Sequence, residues 1–324
     1  MTTLHTPAAS PEPTPEFEAH CRAVYRGWLA GEVSLREAIE QLAAMAQRAQ
    51  EEGSLANQGR VEHLLGNIQH HRGNLNTSIM HFERAQHCFK QVGNRQRVAM
   101  MDLNLGEAYR YKGDFTRARQ LYRRAYQAAA ALDLLDVMTI AIANEGLLLL
   151  HMNRHEAARA ALEEGYRLAQ GWTDSAQNLP ALLSEIHAGL ARVYLRRDEP
   201  LTAWQHALSA LQTARDSGEP VQLGMARCAI ADVLTVLGEV PPADRDAFDP
   251  DPDTHYQEAI TTFRSVRAEA ELAHALYAHG RSLARRGRSL RAARQFQQAM
   301  ILYTRLDMVA DAARAAAAQL DVTA

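Results

Sequence analysis

Between residues 104 and 125 the chain carries two apolar stripes on otherwise polar stretches. Leu105, Ala108 and Tyr109 fall at helical spacing before Gly113, and Ala118, Leu121, Tyr122 and Ala125 do so after it. The pattern predicts two amphipathic helices meeting at Gly113-Asp114. Gly113 can take the left-handed conformation that ends one helix, and Asp114 can accept from the free amides that begin the next. Gly106 and Ala118 lack bulk, so two antiparallel helices can approach at the short end of the usual range of about 8–10 Å.

The same order of residues recurs. Gly66, Gly106 and Gly146 repeat every forty residues, and Ala191, Ala231 and Gly280 continue the series at mostly wider intervals. Seven residues after each comes a turn position: Gly73, Gly113, Asn153, Asp198, Gly238 and Gly287. A small residue opens the second helix at Ser78, Ala118, Ala158, Ala203, Ala259 and Ala292. Phe82, Tyr122, Leu162, Ala207, Phe263 and Phe296 follow, and then Ala85, Ala125, Gly165, Ala210, Val266 and Ala299. Stacked copies of one two-helix unit account for this order, because each unit can bury its apolar face only against its neighbours.

These positions resemble the tetratricopeptide repeat, which has small residues at its eighth, twentieth and twenty-seventh positions with aromatic or aliphatic residues between. The resemblance covers roughly residues 55–305. The period exceeds the usual repeat of about thirty-four residues and is similar to the longer subtype found in kinesin light chains, spindle-orientation adaptors and bacterial peptide-sensing proteins. Gln69 stands at an aromatic position, and Glu145 and His279 at a leucine position. The fold expected is all-α: a right-handed solenoid of about seven antiparallel helix pairs with a C-terminal capping helix.

Along the chain, residues 1–15 are rich in Pro, Thr, Ser and Ala and are expected as a disordered tail. Residues 16–324 are expected as one domain. Within it, 16–52 form a degenerate first pair, with Ala38 and Leu42 echoing the repeat and Met45 where a small residue belongs. Six repeats occupy 55–305, and a cap covers 308–320. Gln170–Asn178 read as a long loop. The stretch 238–253, with Pro241, Pro242, Pro250 and Pro252, reads as an acidic surface loop inserted between paired helices, since each interior proline would cost a helix about 3 kcal/mol.

With 324 residues, 47% of them hydrophobic, the chain suits a helical solenoid, and a net charge of −3 argues against general polyanion binding. Cys21, Cys88 and Cys228 are sparse and odd in number, which suits buried thiols in a reducing, cytoplasmic setting. The most apolar run, near 139–150, is interrupted by Asn144 and Glu145, so no membrane span is expected, and the N-terminus has no signal-peptide pattern. His63, His70, His71, His81 and His87 lack zinc-like spacing. Asp249, Asp251 and Asp253 begin like a calcium loop, but Thr254 replaces the needed Gly and no Glu closes it. No metal or cofactor is expected. Without a phosphate loop, nucleophile elbow or H-E-x-x-H motif, no catalysis is expected either.

In the repeat frame the first helix of each pair presents a wall. The second pair gives Arg60, His63, Asn67, His70 and His71, and the third Leu103, Asn104, Glu107, Arg110 and Tyr111. Asn144, Leu147 and His151 follow, then Glu185, Arg192 and Arg196, then Asp232, and last His274, Tyr277, Arg281 and Arg285. An amide side chain both donates and accepts, so a row of them can hold a peptide backbone whatever its side chains. The resemblance implies this role for Asn104 and Asn144, and Asn67 lies nearby. Arg281, Arg285, Arg286, Arg288, Arg291 and Arg294 crowd the last pair, where they can bind carboxylates or phosphates or be neutralised by Glu269, Glu271 and Asp307.

The sequence therefore points to a non-enzymatic adaptor or regulator binding a protein or peptide segment. The candidate groove residues are Asn67, Asn104, Glu107, Arg110, Asn144, His151, Arg192, Arg196, Arg281 and Arg285. The alternatives are a polyanion or nucleic-acid binder using the Arg-rich C-terminal pairs, and a scaffold that self-assembles as a homo-oligomer.

Overall fold

The computed structural model describes residues 11–172 and 179–323. Among the described residues there are fifteen α-helices and no strand. The chain divides into two compact units, Met1–Ala108 and Tyr109–Ala324.

The first unit holds α1 (Pro15–Leu29), α2 (Leu35–Glu51), α3 (Leu55–His71), α4 (Leu75–Gln91) and most of α5 (Arg95–Tyr111). Ser34 opens α2 with a reciprocal cap, accepting from the Glu37 N–H while Glu37 accepts from its own. Phe17, Cys21 and Val24 of α1 meet Ala38, Leu42 and Met45 of α2 and Val61, Leu64 and Ile68 of α3 in one buried cluster. The α3–α4 pair shows what the small positions accomplish. Gly66 lies against the Phe82 ring so closely that a Cβ there would stand 2.5 Å from it, and the Ser78 hydroxyl donates to the Gly66 carbonyl at 2.9 Å.

The expected disordered tail, residues 1–15, falls mostly outside the described residues. Of its remainder, Pro15 opens α1 and residues 11–14 are bonded to the first unit. Asn94 donates to the Pro11 carbonyl (2.8 Å), Arg97 pairs with Glu12 (2.8 Å), and the Thr14 N–H donates to Asn57 (3.2 Å).

The second unit begins at the end of α5. It contains α6 (Phe115–Ala130), α7 (Leu135–His151), α8 (His155–Ala169), α9 (Leu179–Arg196), α10 (Pro200–Ser217), α11 (Pro220–Leu237), α12 (Pro252–Ser265), α13 (Glu269–Arg285), α14 (Ser289–Arg305) and α15 (Val309–Thr323). Helices α7 and α8, α9 and α10, α11 and α12, and α13 and α14 pack as consecutive pairs, with α15 against α14. Asp114 caps α6 by accepting from the Arg117 N–H at 3.0 Å. The turn positions take the left-handed conformation even where the residue is not glycine, at Asn153 (φ 55°) and Asp198 (φ 60°). Gly146 lies under Leu162 and Gly280 under Phe296, as Gly66 lies under Phe82.

The two charged or polar residues at leucine positions are both paired. Glu145 is buried and binds Arg119 (2.8 Å) and Arg123 (3.1 Å), and His279 is buried against Asp253 (3.0 Å). At the aromatic position in the first unit, Gln69 accepts from Asn74 at 2.8 Å.

The stretch 238–253 is more than a surface loop. Val240 enters the core, Phe248 packs edge-on to the buried Trp204 at 5.3 Å, and the Trp204 N–H donates to Asp244 at 2.7 Å. Asp251 caps α12, Pro252 opens it, and Asp253 is buried inside its first turn. There Asp253 accepts from Arg286 and His279 and pairs with Arg288 (3.2 Å) and Arg291 (3.1 Å). Three of the six clustered C-terminal arginines thus pair with one aspartate, while Glu269 binds Arg305 (2.9 Å) and Glu271 accepts from Tyr111 (2.9 Å). Another difference from the sequence reading concerns apolar length. By length and composition alone, α11 is long and apolar enough to cross a membrane. In the structure its Ala226, Ala229, Ile230, Val233 and Leu234 join the core around Trp204.

Two stability outcomes follow. Gly66→Ala should lower unfolding free energy by about 1–3 kcal/mol, because the fully buried Phe82 ring has nowhere to retreat. Urea unfolding at constant slope measures it, and an unshifted midpoint would refute the close contact. Burial pushes the Asp253 carboxyl up, but its bonds to Arg286 and His279 outweigh this and hold it below the usual carboxylate range. Burial lowers His279 despite the nearby Asp253. Both groups therefore bind protons less readily when folded. The His279 contribution is complete above about pH 6.5 and that of Asp253 above about pH 4, and each is lost as pH falls through the folded value. Asp253→Asn should be about 2 kcal/mol less stable at pH 7 and lose part of the acid slope below pH 4. Equal stability of the two proteins across pH 3–7 would show that the cluster contributes nothing.

Candidate functional site

In the second unit, wall residues from five helices are brought together. The chain of this unit comes round until α13 and α15 meet the end of α5. The Tyr111 hydroxyl donates to Glu271 (2.9 Å), the Tyr111 ring stacks on His274 (centroids 6.1 Å apart), and Gly113 lies against Ala310. His274 also meets His151 of α7 (6.2 Å) and Tyr303 of α14 (5.4 Å), and Phe115 meets His151 from the other side (6.1 Å). Arg110 lies over the Tyr111 ring at 4.5 Å.

The electrostatics of this face are one-sided. Burial lowers His274 to about 3, assisted by the charges of Arg110, Arg192 and Arg314. Burial, Arg110, His274, Arg192 and Arg314 likewise push His151 well below the ordinary histidine range. Both imidazoles are neutral at pH 7. Arg196 is lowered by burial and by Arg281, against the opposing pull of Asp232 and Tyr277. Asp232 accepts from the buried Tyr256 hydroxyl at 2.6 Å. Among the described residues, Arg192, Arg196, Arg281 and Arg285 form no hydrogen bond or ion pair. Arg196 also borders an open cleft of about 650 Å³ with Arg154, His155, Glu156, Ala157 and Arg197. Arg197 is itself held by Glu156 and Glu199.

Asn144 differs from its neighbours. It is 8% exposed, yet its side chain makes no hydrogen bond among the described residues. It shares a face of α7 with Leu147 and His151 by helical spacing. Close approach of α7 to α9 is set by Gly189, where a Cβ would stand 2.8 Å from the Leu147 side chain.

Asn67, Asn104 and Glu107 lie in the first unit. Glu107 is half-buried and engaged. Asn104 lies 2.9 Å and Asn67 3.4 Å from His63 Nε2, while Arg60 lies 3.2 Å from His63 Nδ1. Burial, then Arg60 and Arg97, lower His63 to about 3, so the ring is neutral. The Asn104 atom facing His63 Nε2 is its amide nitrogen, a donor, which meets the lone pair of the neutral ring. One half of the Asn104 amide is therefore engaged within the protein, unlike that of Asn144.

Sequence reasoning missed Arg314, whose helix reads as an alanine-rich cap, and Phe115, which lies in the first turn after the repeat's turn position. It also missed the contact of Tyr303 with His274, across the α13–α14 pair. Among the described residues no group of three or more His, Cys, Asp or Glu side chains is placed to hold a metal ion. Cys21, Cys88 and Cys228 are free and buried, and burial pushes Cys21 and Cys228 up to about 12.

Residues 57–131 match the tetratricopeptide repeat family model. No curated protein matches the chain in sequence. Several solved structures share its fold. Aspartyl phosphate phosphatase F from Bacillus subtilis is 12% identical, with a TM-score of 0.67 over 88% of this chain and 71% of its own. A Rap protein complexed with competence and sporulation factor is 12% identical, with a TM-score of 0.62 over 96% and 88% of the two chains. The Rap conjugation gene regulator of plasmid pLS20, in complex with the Phr* peptide, is 15% identical, with a TM-score of 0.58 over 96% and 97%. Residues 57–131 thus match tetratricopeptide repeats, and the chain shares the helical-repeat fold of the Rap structures.

Proposed function

We propose that this protein is a non-enzymatic adaptor or regulator that holds an extended protein segment against the wall of its second unit. The observation that carries the reading is Asn144. Its side chain makes no hydrogen bond to another described residue, so its oxygen and NH2 are available to the N–H and carbonyl of a peptide backbone. Arg192, Arg196 and Arg281, which form no ion pair among the described residues, supply the charge to meet carboxylates on that segment. His274, neutral and stacked on Tyr111, and the neutral His151 beside it supply an uncharged aromatic floor. Two of the similar structures carry a bound factor or peptide, which supports a peptide-sized occupant. A third is named a phosphatase; at that identity the likeness is one of fold. Binding of polyanions through the last helix pair is disfavoured, because Arg286, Arg288 and Arg291 are already paired with Asp253.

A photo-reactive residue placed at Leu147 should cross-link the bound segment and identify it by mass spectrometry. Against that segment, Asn144→Ala should weaken affinity about tenfold, as expected for loss of a buried hydrogen bond. Undiminished affinity would reject the assignment. The same substitution should leave the melting temperature unchanged or raise it. Asn104→Ala, by contrast, should lower stability by about 1 kcal/mol, because it leaves His63 Nε2 without its partner. A loss of stability in Asn144→Ala equal to that in Asn104→Ala would make the amide structural.

A further inference from the structure

Residues Pro11–Thr14 lie along the first unit where α3 and α5 begin, and side chains hold them. The Asn94 amide donates to the Pro11 carbonyl (2.8 Å) and to one Glu12 oxygen (2.7 Å), while Arg97 Nε donates to the other (2.8 Å). The oxygen of Asn94 caps its own helix, accepting from the Arg97 N–H at 3.0 Å. One helix further back, Asn57 accepts from the Thr14 N–H at 3.2 Å. Pro13 is buried between these anchors, and Thr14 is extended (φ −63°, ψ 144°). Alternate prolines at 11, 13 and 15 favour that extended form before any contact is made.

Two amide side chains on two successive first helices thus bind one backbone carbonyl and one backbone N–H of a single extended segment, and an arginine reads its carboxylate. This is the chemistry of peptide capture. Asn94 and Asn57 are nearly fully buried beneath it, while Glu12 stays half-exposed. The contacts are polar and reversible rather than a packed core.

We propose that this face of the first unit is a binding site for an extended, acidic, proline-containing protein segment, and that the chain's own residues 11–14 occupy it in cis. A segment tethered directly to α1 acts at an effective concentration on the order of millimolar or above. A free segment of the same composition therefore competes poorly until the tether's contacts are weakened. A true partner displaces the tail by engaging more of the wall. The residues concerned are none of those invoked for the second unit, so either reading can fail without the other.

The probe is a fluorescein-labelled peptide of residues 9–16 of this chain, titrated against the full-length protein by fluorescence anisotropy. In Glu12→Lys the tail loses its pairing with Arg97, and the probe should bind at least about tenfold tighter than to the unsubstituted chain. Adding Asn94→Ala or Arg97→Gln to Glu12→Lys should abolish that gain. A probe carrying Lys in place of its own Glu12 should not bind the Glu12→Lys protein. Should Arg97→Gln unfold the first unit, the double reversal Glu12→Lys with Arg97→Glu keeps the pair matched and should return the probe to unsubstituted behaviour. Equal probe affinity for the unsubstituted and Glu12→Lys chains would overturn the proposal, as would binding that ignores Asn94 and Arg97.

Discussion

The structure depends on the contact between a small residue on one helix and a bulky side chain on the next. At Gly66 with Phe82, Gly146 with Leu162, Gly224 with Phe263 and Gly280 with Phe296, a Cβ would stand 2.5–2.7 Å from the partner, so only glycine allows that helix spacing. Buried rings fill the space released by the missing Cβ, and this holds the two helices at the distance where i±4 and i±3 ridges interlock. The left-handed turn residue then returns the chain antiparallel without a long loop. Every functional position discussed here inherits its direction from that constraint. A helix pinned along one face must present the opposite face, and its residues recur in space as they recur in sequence.

This is why the fold was legible and the site only in part. The small, turn and aromatic positions are local and periodic. All six predicted turn positions have positive φ, including Asn153 and Asp198, whose short polar side chains tolerate it. The wall list followed from the same period, and it named both residues of the Tyr111–His274 stack. Pairings across unequal sequence distance were not legible. Nothing periodic says that Asp253 meets Arg286, Arg288, Arg291 and His279, so the acidic partner of half the arginine cluster was not legible. Equally, Asn104 and Asn144 stand at the same repeat position, and only the coordinates show the first bonded to His63 and the second unpaired.

The insertion at 238–253 is mostly exposed, as a surface loop, but it is anchored at points the sequence did not reveal. Prolines forbid a helix but not burial. Pro252 is placed at the first helical position, where its missing N–H does no harm, and Asp251 before it satisfies the open amides. With the helix start moved upstream, Asp253 comes inside the first turn, where the helix dipole favours its charge. Val240 and Phe248 anchor the approach on either side of Trp204. An inserted stretch that reads as polar and irregular thus became a brace between α10, α12 and the arginines of α13 and α14.

Polar groups inside a repeat protein must be bonded, paired or left for something else, and these three outcomes sort the candidate residues more sharply than exposure does. Glu145, His279 and Asp253 are paired, so substitution there acts on stability. His63, Asn57 and Asn94 are bonded, the last two to a segment that need not stay. Asn144 and the arginines 192, 196 and 281 lack partners among the described residues, although ample acidic side chains exist elsewhere in the chain. Keeping like charges such as Arg196 and Arg281 close together is unfavourable in the empty protein. That cost would be recovered on meeting a carboxylate-bearing backbone, the occupant proposed for this wall.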